Sequence, residues 1–166
     1  MAFRWTYILR KRKNKKNYNL TIMKKFIIAA ITVITLATSA FAADTNDKAM
    51  NLFKAAYPGA EKVRYKAVGE LVSVSFVLDG TNMQAFYNAE GEQIAVSRVT
   101  DYKRLPLRAT TTIENKFKGY TATEVIEMDH STEGTSYYVS LVNDSQKVIA
   151  QVSVSGEVSV FKKSVK

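Results

Sequence analysis

The amino-acid sequence predicts an α+β fold. Two tandem units, each with one helix and four strands, form an antiparallel sheet of about eight strands with two helices on one face. An amphipathic helix pattern ended by glycine occurs twice, and four short strand-like runs follow it each time. The stretch "FYNAEGEQIAV" at 86–96 also returns in shape as "QVSVSGEVSVF" at 151–161. A recurring pattern of this kind indicates an internal repeat.

The segment before the first helix has the form of a secretory signal peptide over residues 23–42. Two lysines precede an apolar run over 26–37, and the triplet Ala-Phe-Ala ends at Ala42. We expect cleavage between Ala42 and Ala43. The apolar run is shorter than the roughly 20 residues of a membrane-spanning helix, so no stable membrane anchor is expected after cleavage.

Residues 1–22 hold a basic cluster without an apolar period. We interpret them as a disordered upstream mis-start, with translation beginning at Met23, because an export signal normally begins with its own basic region. The sequence leaves open which methionine is the true start.

The charge balance changes once the leader is set aside. Residues 1–42 carry nine of the 24 Lys and Arg and none of the 15 Asp and Glu, which leaves 15 basic and 15 acidic side chains. A neutral mature chain gives no reason to expect nucleic acid as a partner. The chain has no cysteine, which excludes disulfides, thiolate metal sites, a cysteine nucleophile and lipoprotein acylation. We therefore expect a periplasmic or secreted protein.

The first unit is predicted over residues 43–100. Its helix places apolar side chains on one face and ends at Pro58 and Gly59; that face comprises Ala49, Leu52, Phe53, Ala56 and Tyr57. Short turns join its four strands, predicted at Glu61–Ala67, Leu71–Leu78, Thr81–Asn88 and Gln93–Val99. Turns this short favour antiparallel neighbours.

The second unit is predicted over residues 101–166. Leu105 and Pro106 open its helix, and Gly119 ends it. The side chains expected on its buried face are Ala109, Ile113 and Phe117. Its strands are predicted at Thr123–Met128, Ser136–Asn143, Lys147–Val154 and Glu157–Lys163. The strand from Thr123 does not alternate cleanly at Val125, Ile126 and Met128, so the sequence leaves its register open and is compatible with a β-bulge there.

Period-two alternation assigns side chains to the sheet face opposite the helices. The candidate binding residues on that face are Leu71, Val77, Phe86, Tyr138, Val142 and Ile149. Aromatic and aliphatic side chains mixed with serines are typical of a protein-binding surface. The alternatives are scattered exposed apolar residues, or a face covered by a loop or by a second copy in a homodimer.

Two basic side chains, Arg64 and Lys66, flank Tyr65 on the first strand and are expected to point away from the core. They are candidates for selecting an acidic partner. The other interpretation is a solvated edge that protects the sheet from pairing with other chains.

Three segments, "AAYPGAEKVRY", "AFYNAEGE" and "LPLRATTTIENKFKGY", resemble the PepSY-like, beta-lactamase-inhibitor-like (BLIP-like) proteins exported by Bacteroidetes. In those proteins a helix ends in an aromatic residue, Pro and Gly, and a strand pair then closes on an aromatic-Asp-x-x-Gly turn. Lys118 stands where the second unit would have the Pro, and Asn88 where the first turn would have the Asp. The resemblance covers nearly all of the mature chain and implies an eight-stranded sheet, two helices on one face and no enzyme activity.

No catalytic, metal or cofactor site is predicted. His130 is the one histidine and lies between Asp129 and Ser131, but consecutive side chains diverge, whereas a catalytic triad needs groups that converge from separate elements. We interpret His130 as a solvated turn residue. One histidine and no cysteine are also a poor ligand set for zinc.

The sequence therefore predicts an exported, non-catalytic protein that binds a protein partner in the envelope through the sheet face opposite the helices. The most specific form of this prediction is inhibition of an envelope or extracellular enzyme. The alternatives are a periplasmic small-molecule or peptide carrier and a structural homodimer without ligand. The partner's identity is not encoded in any motif.

Overall fold

The computed structural model describes residues 47–166. The predicted mis-start, signal peptide and cleavage site lie outside these residues. The elements in chain order are helix α1 (Asp47–Ala56), strands β1 (Glu61–Val68), β2 (Leu71–Leu78), β3 (Thr81–Tyr87) and β4 (Gln93–Thr100), a 3-10 turn (Tyr102–Arg104), helix α2 (Leu107–Lys116), and strands β5 (Thr121–His130), β6 (Gly134–Val142), β7 (Gln146–Ser153) and β8 (Val158–Val165).

The eight strands form one sheet in which each strand pairs with its neighbour in the sequence, in the order β1 to β8. Every pairing is antiparallel. Within each half, tight hairpins impose this order because they leave no length for a crossover, and β4 pairs with β5 across the segment that holds α2. The predicted fold class is confirmed: one antiparallel sheet of eight strands with two helices.

Helix α1 packs on the first half of the sheet through Ala49 and Phe53, which are buried. The ring of Phe53 meets that of Phe76 on β2 edge-on, with centroids 4.9 Å apart. Burying a side chain of this size contributes about 1.5–3 kcal/mol. Leu52 was expected on the same face, but it is 45% exposed, so the buried stripe of this helix is narrower than its apolar pattern.

Helix α2 packs on the second half through Ala109 and Ile113, as predicted. Three consecutive threonines make its sequence a poor helix former. Their hydroxyls donate to carbonyls one turn earlier; for example Thr112 Oγ1 donates to the Arg108 oxygen at 2.8 Å. These bonds satisfy the hydroxyls within the helix, although they add little to its stability. Packing on the sheet is what holds it.

Both helices cover the same face of the sheet. Val96 on β4 packs in the α1 cluster, and Val125 on β5 packs in the α2 cluster. Val96 is paired with Asp129, and Asp129 lies four positions from Val125 along β5. Because an even separation along a strand keeps the same face, the two clusters lie side by side beneath the two helices.

The third and fourth strands of each half are joined by a turn whose glycine touches that half's helix. A Cβ placed on Gly91 would lie 3.3 Å from the Ala49 nitrogen, and one on Gly156 would lie 3.3 Å from the Ala109 nitrogen. Both glycines have positive φ, +79° and +82°. Equivalent contacts in the two halves are what tandem units would produce. They also explain why both turns contain glycine.

The sequence leaves the register of the strand from Thr123 open, and the structure shows a shift against β6 between Ala122 and Glu124. A matching shift in β1 between Glu61 and Arg64 was not predicted; there Lys62 has a φ of 51°. Strand β5 is also longer than predicted at both ends. His130 is consequently the last residue of a strand, partly buried, and not a turn residue.

Candidate functional site

The candidate site is the sheet face opposite the two helices, called here the helix-free face. Strand register assigns to it Glu61, Arg64, Lys66, Val68, Leu71, Ser73, Ser75, Val77, Asn82, Gln84, Phe86, Ala95, Ser97, Val99, Thr121, Glu124, Ile126, Met128, His130, Ser136, Tyr138, Ser140, Val142, Lys147, Ile149, Gln151, Ser153, Ser159, Lys162 and Ser164. All eight binding residues predicted from the sequence lie on it. Alternation and short hairpins were sufficient to place them, because register fixes the face of every side chain.

The exposure of these residues differs from the expectation of an open apolar surface. The four that are buried are Leu71, Phe86, Tyr138 and Ile149, with exposed fractions of 8%, 0%, 4% and 6%. Val77 and Val142 are partly buried. The buried side chains form one hydrophobic cluster to which every strand contributes, including Val68 on β1 and Phe161 on β8. The helix-free face therefore contains a second core.

Aromatic packing closes the β8 end of this cluster. The rings of Tyr138 and Phe161 meet edge-on, with centroids 5.3 Å apart. Phe161 reaches the cluster because the pairing of β7 with β8 shifts between Ile149 and Ala150. The bulge turns an extra side chain toward the cluster.

A polar patch lies within the same face in the first half of the sheet. Gln84 is 6% exposed, Ser73 is 0% exposed and Ser97 is 5% exposed. The Gln84 amide donates to the Ser73 hydroxyl, and the Ser97 hydroxyl donates to the Gln84 backbone oxygen at 3.5 Å. Partners within the sheet thus offset the cost of burying these groups.

The side chains that remain exposed surround the buried cluster. They are Glu61, Arg64 and Lys66 on β1, Asn82 on β3, Val99 on β4, Thr121 on β5, and Ser159, Lys162 and Ser164 on β8. Val99 is 38% exposed. The accessible surface of the helix-free face is therefore mainly polar and basic. It is less apolar than the sequence pattern indicates.

Burial perturbs two titratable groups on this face. Burial raises the pKa of the Glu124 carboxyl, and the nearby charge of Lys147 opposes that rise. Burial also raises the pKa of the Tyr138 hydroxyl well above its ordinary value, and the negative charge of Glu133 adds to the effect. Both groups are consequently biased toward their neutral forms.

The surroundings of His130 do not form a nucleophilic triad. The Nδ1 atom of His130 lies 3.1 Å from the Thr132 hydroxyl, while the Asp129 carboxylate accepts a hydrogen bond from Thr135 at 3.2 Å. His130 and Asp129 are successive strand residues and face opposite sides of the sheet. Across residues 47–166 there is no group of three metal-ligating side chains. No helix in that range is long and apolar enough to cross a membrane.

On the helix-covered face, a polar pair separates the two hydrophobic clusters. The Arg98 Nη2 atom lies 2.7 Å from the Glu127 Oε1 atom, with the two side chains 42% and 18% exposed. The Arg98 Nε atom is buried and has no hydrogen-bond partner. The pair links β4 to β5 and belongs to neither hydrophobic cluster. No sequence pattern predicts it, since the two residues are 29 positions apart.

Comparison with solved structures shows that this fold is shared. A BLIP-like protein from Bacteroides fragilis matches with a TM-score of 0.62 and 15% identity, over 75% of this chain and 88% of that chain. A DUF2874 family protein from Bacteroides uniformis matches with a TM-score of 0.65 and 11% identity, over 73% and 89%. A protein from Bacteroides eggerthii, named as a periplasmic candidate, matches with a TM-score of 0.66 and 13% identity, over 76% and 90%.

These likenesses establish a BLIP-like fold. No family model matches the sequence, and no curated protein matches it. The BLIP-like part of the predicted resemblance agrees with the fold. The compared structures do not show its PepSY-like part.

Proposed function

We propose that this chain is an exported, non-catalytic binding protein that engages a protein partner through the exposed part of the helix-free face. The observation that carries the proposal is the division of the sheet. Two helices cover one face. The other face holds its own hydrophobic cluster, and polar, basic and small apolar side chains are exposed around that cluster. A rigid surface with a packed centre and a polar rim suits protein recognition.

Export is supported by the leader pattern before residue 43 and by the periplasmic description of one structural neighbour. Inhibition of an envelope or extracellular enzyme is the most specific form of the proposal. It draws on the BLIP-like fold of the neighbour from Bacteroides fragilis. A fold can carry many functions, so the face itself has to be tested.

The rigidity of the face favours binding over catalysis. Its buried polar groups are satisfied within the sheet, as the Gln84 and Ser73 pair illustrates, and its aromatic rings are packed against one another. Such a surface loses little conformational freedom when it meets a partner.

The test is affinity capture from an envelope extract of the source cells with the purified protein as bait. The diagnostic variant carries Asn82→Trp and Val99→Trp, which add bulk without charge at two exposed positions on adjacent strands of the helix-free face. The matched control carries Leu52→Trp and Leu107→Trp, which add bulk without charge at exposed positions on the two helices. Circular dichroism first establishes that each variant is folded.

We expect one partner protein to be retained by the parent and by the helix control but not by the diagnostic variant. Activity of that partner is then assayed with and without the purified protein, which tests inhibition separately. Retention that is equal for all three baits, or that is lost only with the helix control, would contradict the use of the helix-free face.

A further inference from the structure

We infer that the partner of the helix-free face is an acidic protein surface, recognised by basic side chains at both edges of the sheet. This inference rests on the proposed function and specifies the chemistry of its partner. Its basis is the distribution of charge across the eight strands.

The β1 edge of the helix-free face carries two cations, Arg64 and Lys66, on the same strand as Glu61. Arg64 pairs in register with Ser75, and Lys66 with Ser73, so both cations project beside serines. Both side chains are exposed, and neither forms an ion pair with another residue in the range 47–166. Exposed cations next to hydroxyl groups are available to a partner's carboxylates.

The opposite edge is also basic. Lys162 on β8 pairs in register with Ile149, and Lys147 on β7 pairs with Val142. Lys162 is exposed. Lys147 lies close enough to Glu124 to lower the pKa of that carboxyl, against the larger effect of burial. The Glu124 charge therefore offsets part of this edge and leaves Lys162 unopposed.

The centre of the face carries little charge to balance these edges. At its strand positions the acidic residues in the described chain are Glu61, in register with Val77 at the start of β1, and Glu124 on β5. Glu133 approaches Tyr138 from the β5–β6 turn. Four basic groups thus face three acidic ones, and the basic groups lie toward the edges. Like charges disfavour pairing of this face with a second copy of itself. A homodimer through this face is therefore the weaker interpretation.

The spacing of the two edges favours a macromolecule over a small ligand. Seven strand intervals of about 4.8 Å separate β1 from β8, or roughly 34 Å along the sheet. A small molecule cannot touch both edges at once. A protein surface or an extended segment of about ten residues can, because an extended chain spans about 3.3 Å per residue.

The experiment uses a displayed library of random peptides about 20 residues long, selected on the immobilised protein at low salt. Bound peptides are sequenced and remeasured against two variants. The charge-reversal variant carries Arg64→Glu and Lys66→Glu. The matched control carries Lys54→Glu and Lys116→Glu, which change the net charge equally at exposed positions on α1 and α2.

We expect selected peptides to be enriched in Asp and Glu, to lose at least tenfold in affinity for the charge-reversal variant, and to keep their affinity for the control. Their affinity should also fall as salt is raised. Peptides that lose binding to the Asn82→Trp, Val99→Trp variant, but that show no acidic enrichment or no response to charge reversal, would overturn the acidic partner and leave the binding face intact. Binding that responds to neither helix-free variant would overturn both proposals.

Discussion

The turn glycine of the second half, Gly156, offers a sharp test of how the helices are fixed to the sheet. A Cβ at this position would lie 3.0 Å from the Arg108 Cβ atom and 3.3 Å from the Ala109 nitrogen. The Gly156→Ala substitution therefore has two costs. Alanine at a φ of +82° costs about 1–2 kcal/mol because its Cβ crowds the following carbonyl oxygen. Pressing the methyl group against α2 adds about 1–3 kcal/mol.

A control with nearly the same backbone separates the two costs. Gly119 has a φ of +81°, and a Cβ there would meet no atom within 4 Å. Gly119→Ala should lower the free energy of unfolding by about 1–2 kcal/mol, and Gly156→Ala by about 2–5 kcal/mol. Gly91→Ala should fall between them. Its nearest contact is the Lys48 Cγ atom at 3.1 Å, which a side-chain rotation can move, whereas the Arg108 Cβ atom at 3.0 Å from Gly156 is fixed by the helix backbone.

The free energies come from urea denaturation followed by circular dichroism, with the slope of the transition compared among the variants. Equal destabilisation by Gly119→Ala and Gly156→Ala would refute the reasoning, since it would leave no energetic role for the contact with α2. A result in which Gly156→Ala is the milder change would show that the helix moves away without cost.

Three further predictions concern the core, the polar pair and the tyrosines. Phe53→Ala should lower the free energy of unfolding by about 3–5 kcal/mol in urea denaturation. Leu52→Lys should lower it by less than about 0.5 kcal/mol, because Leu52 is exposed. Similar losses from the two substitutions would contradict the difference in burial. A double-mutant cycle on Arg98 and Glu127 should give a coupling of about 0.5–1 kcal/mol that shrinks in high salt, because the pair is partly exposed; coupling unchanged by salt would contradict this. Burial raises the pKa of Tyr138 above its ordinary value of 10.0. Above about pH 10 the native state therefore keeps a proton that the unfolded state releases, so the free energy of unfolding should fall as pH rises. Tyr138→Phe should make that fall with pH less steep, and an unchanged dependence on pH would contradict the role of Tyr138.

Much of the fold could be predicted from the sequence because its determinants are local. Leu71–Leu78 was predicted with its observed bounds, since strict alternation and a turn at each end leave no other register. The start of β5 was harder. Val125 and Ile126 are consecutive apolar residues and break the alternation after Thr123. Only the pairing with β6 shows that the strand begins earlier, at Thr121.

The burial of the candidate site depends on contacts between distant residues, which is why the sequence did not reveal it. The alternation that assigns Phe86 and Tyr138 to the helix-free face says nothing about what packs beside them. Phe161 reaches Tyr138 only because of a bulge between β7 and β8. Among the exposed residues of the face, the sequence analysis named Arg64 and Lys66 but not Asn82, Val99, Ser159 or Lys162. Their share of the accessible surface follows from packing, which buries the apolar side chains.

The uninterrupted strand order has a consequence for how this chain reaches its native state. Each strand pairs with the strand made just before it, so the sheet needs few contacts between remote parts of the chain, and proteins rich in local contacts fold faster than other β proteins of similar size. A polypeptide that emerges from its amino end can add one hairpin at a time. Each newly added strand protects the hydrogen-bonding edge of the one before it, which shortens the time during which that edge is open to aggregation.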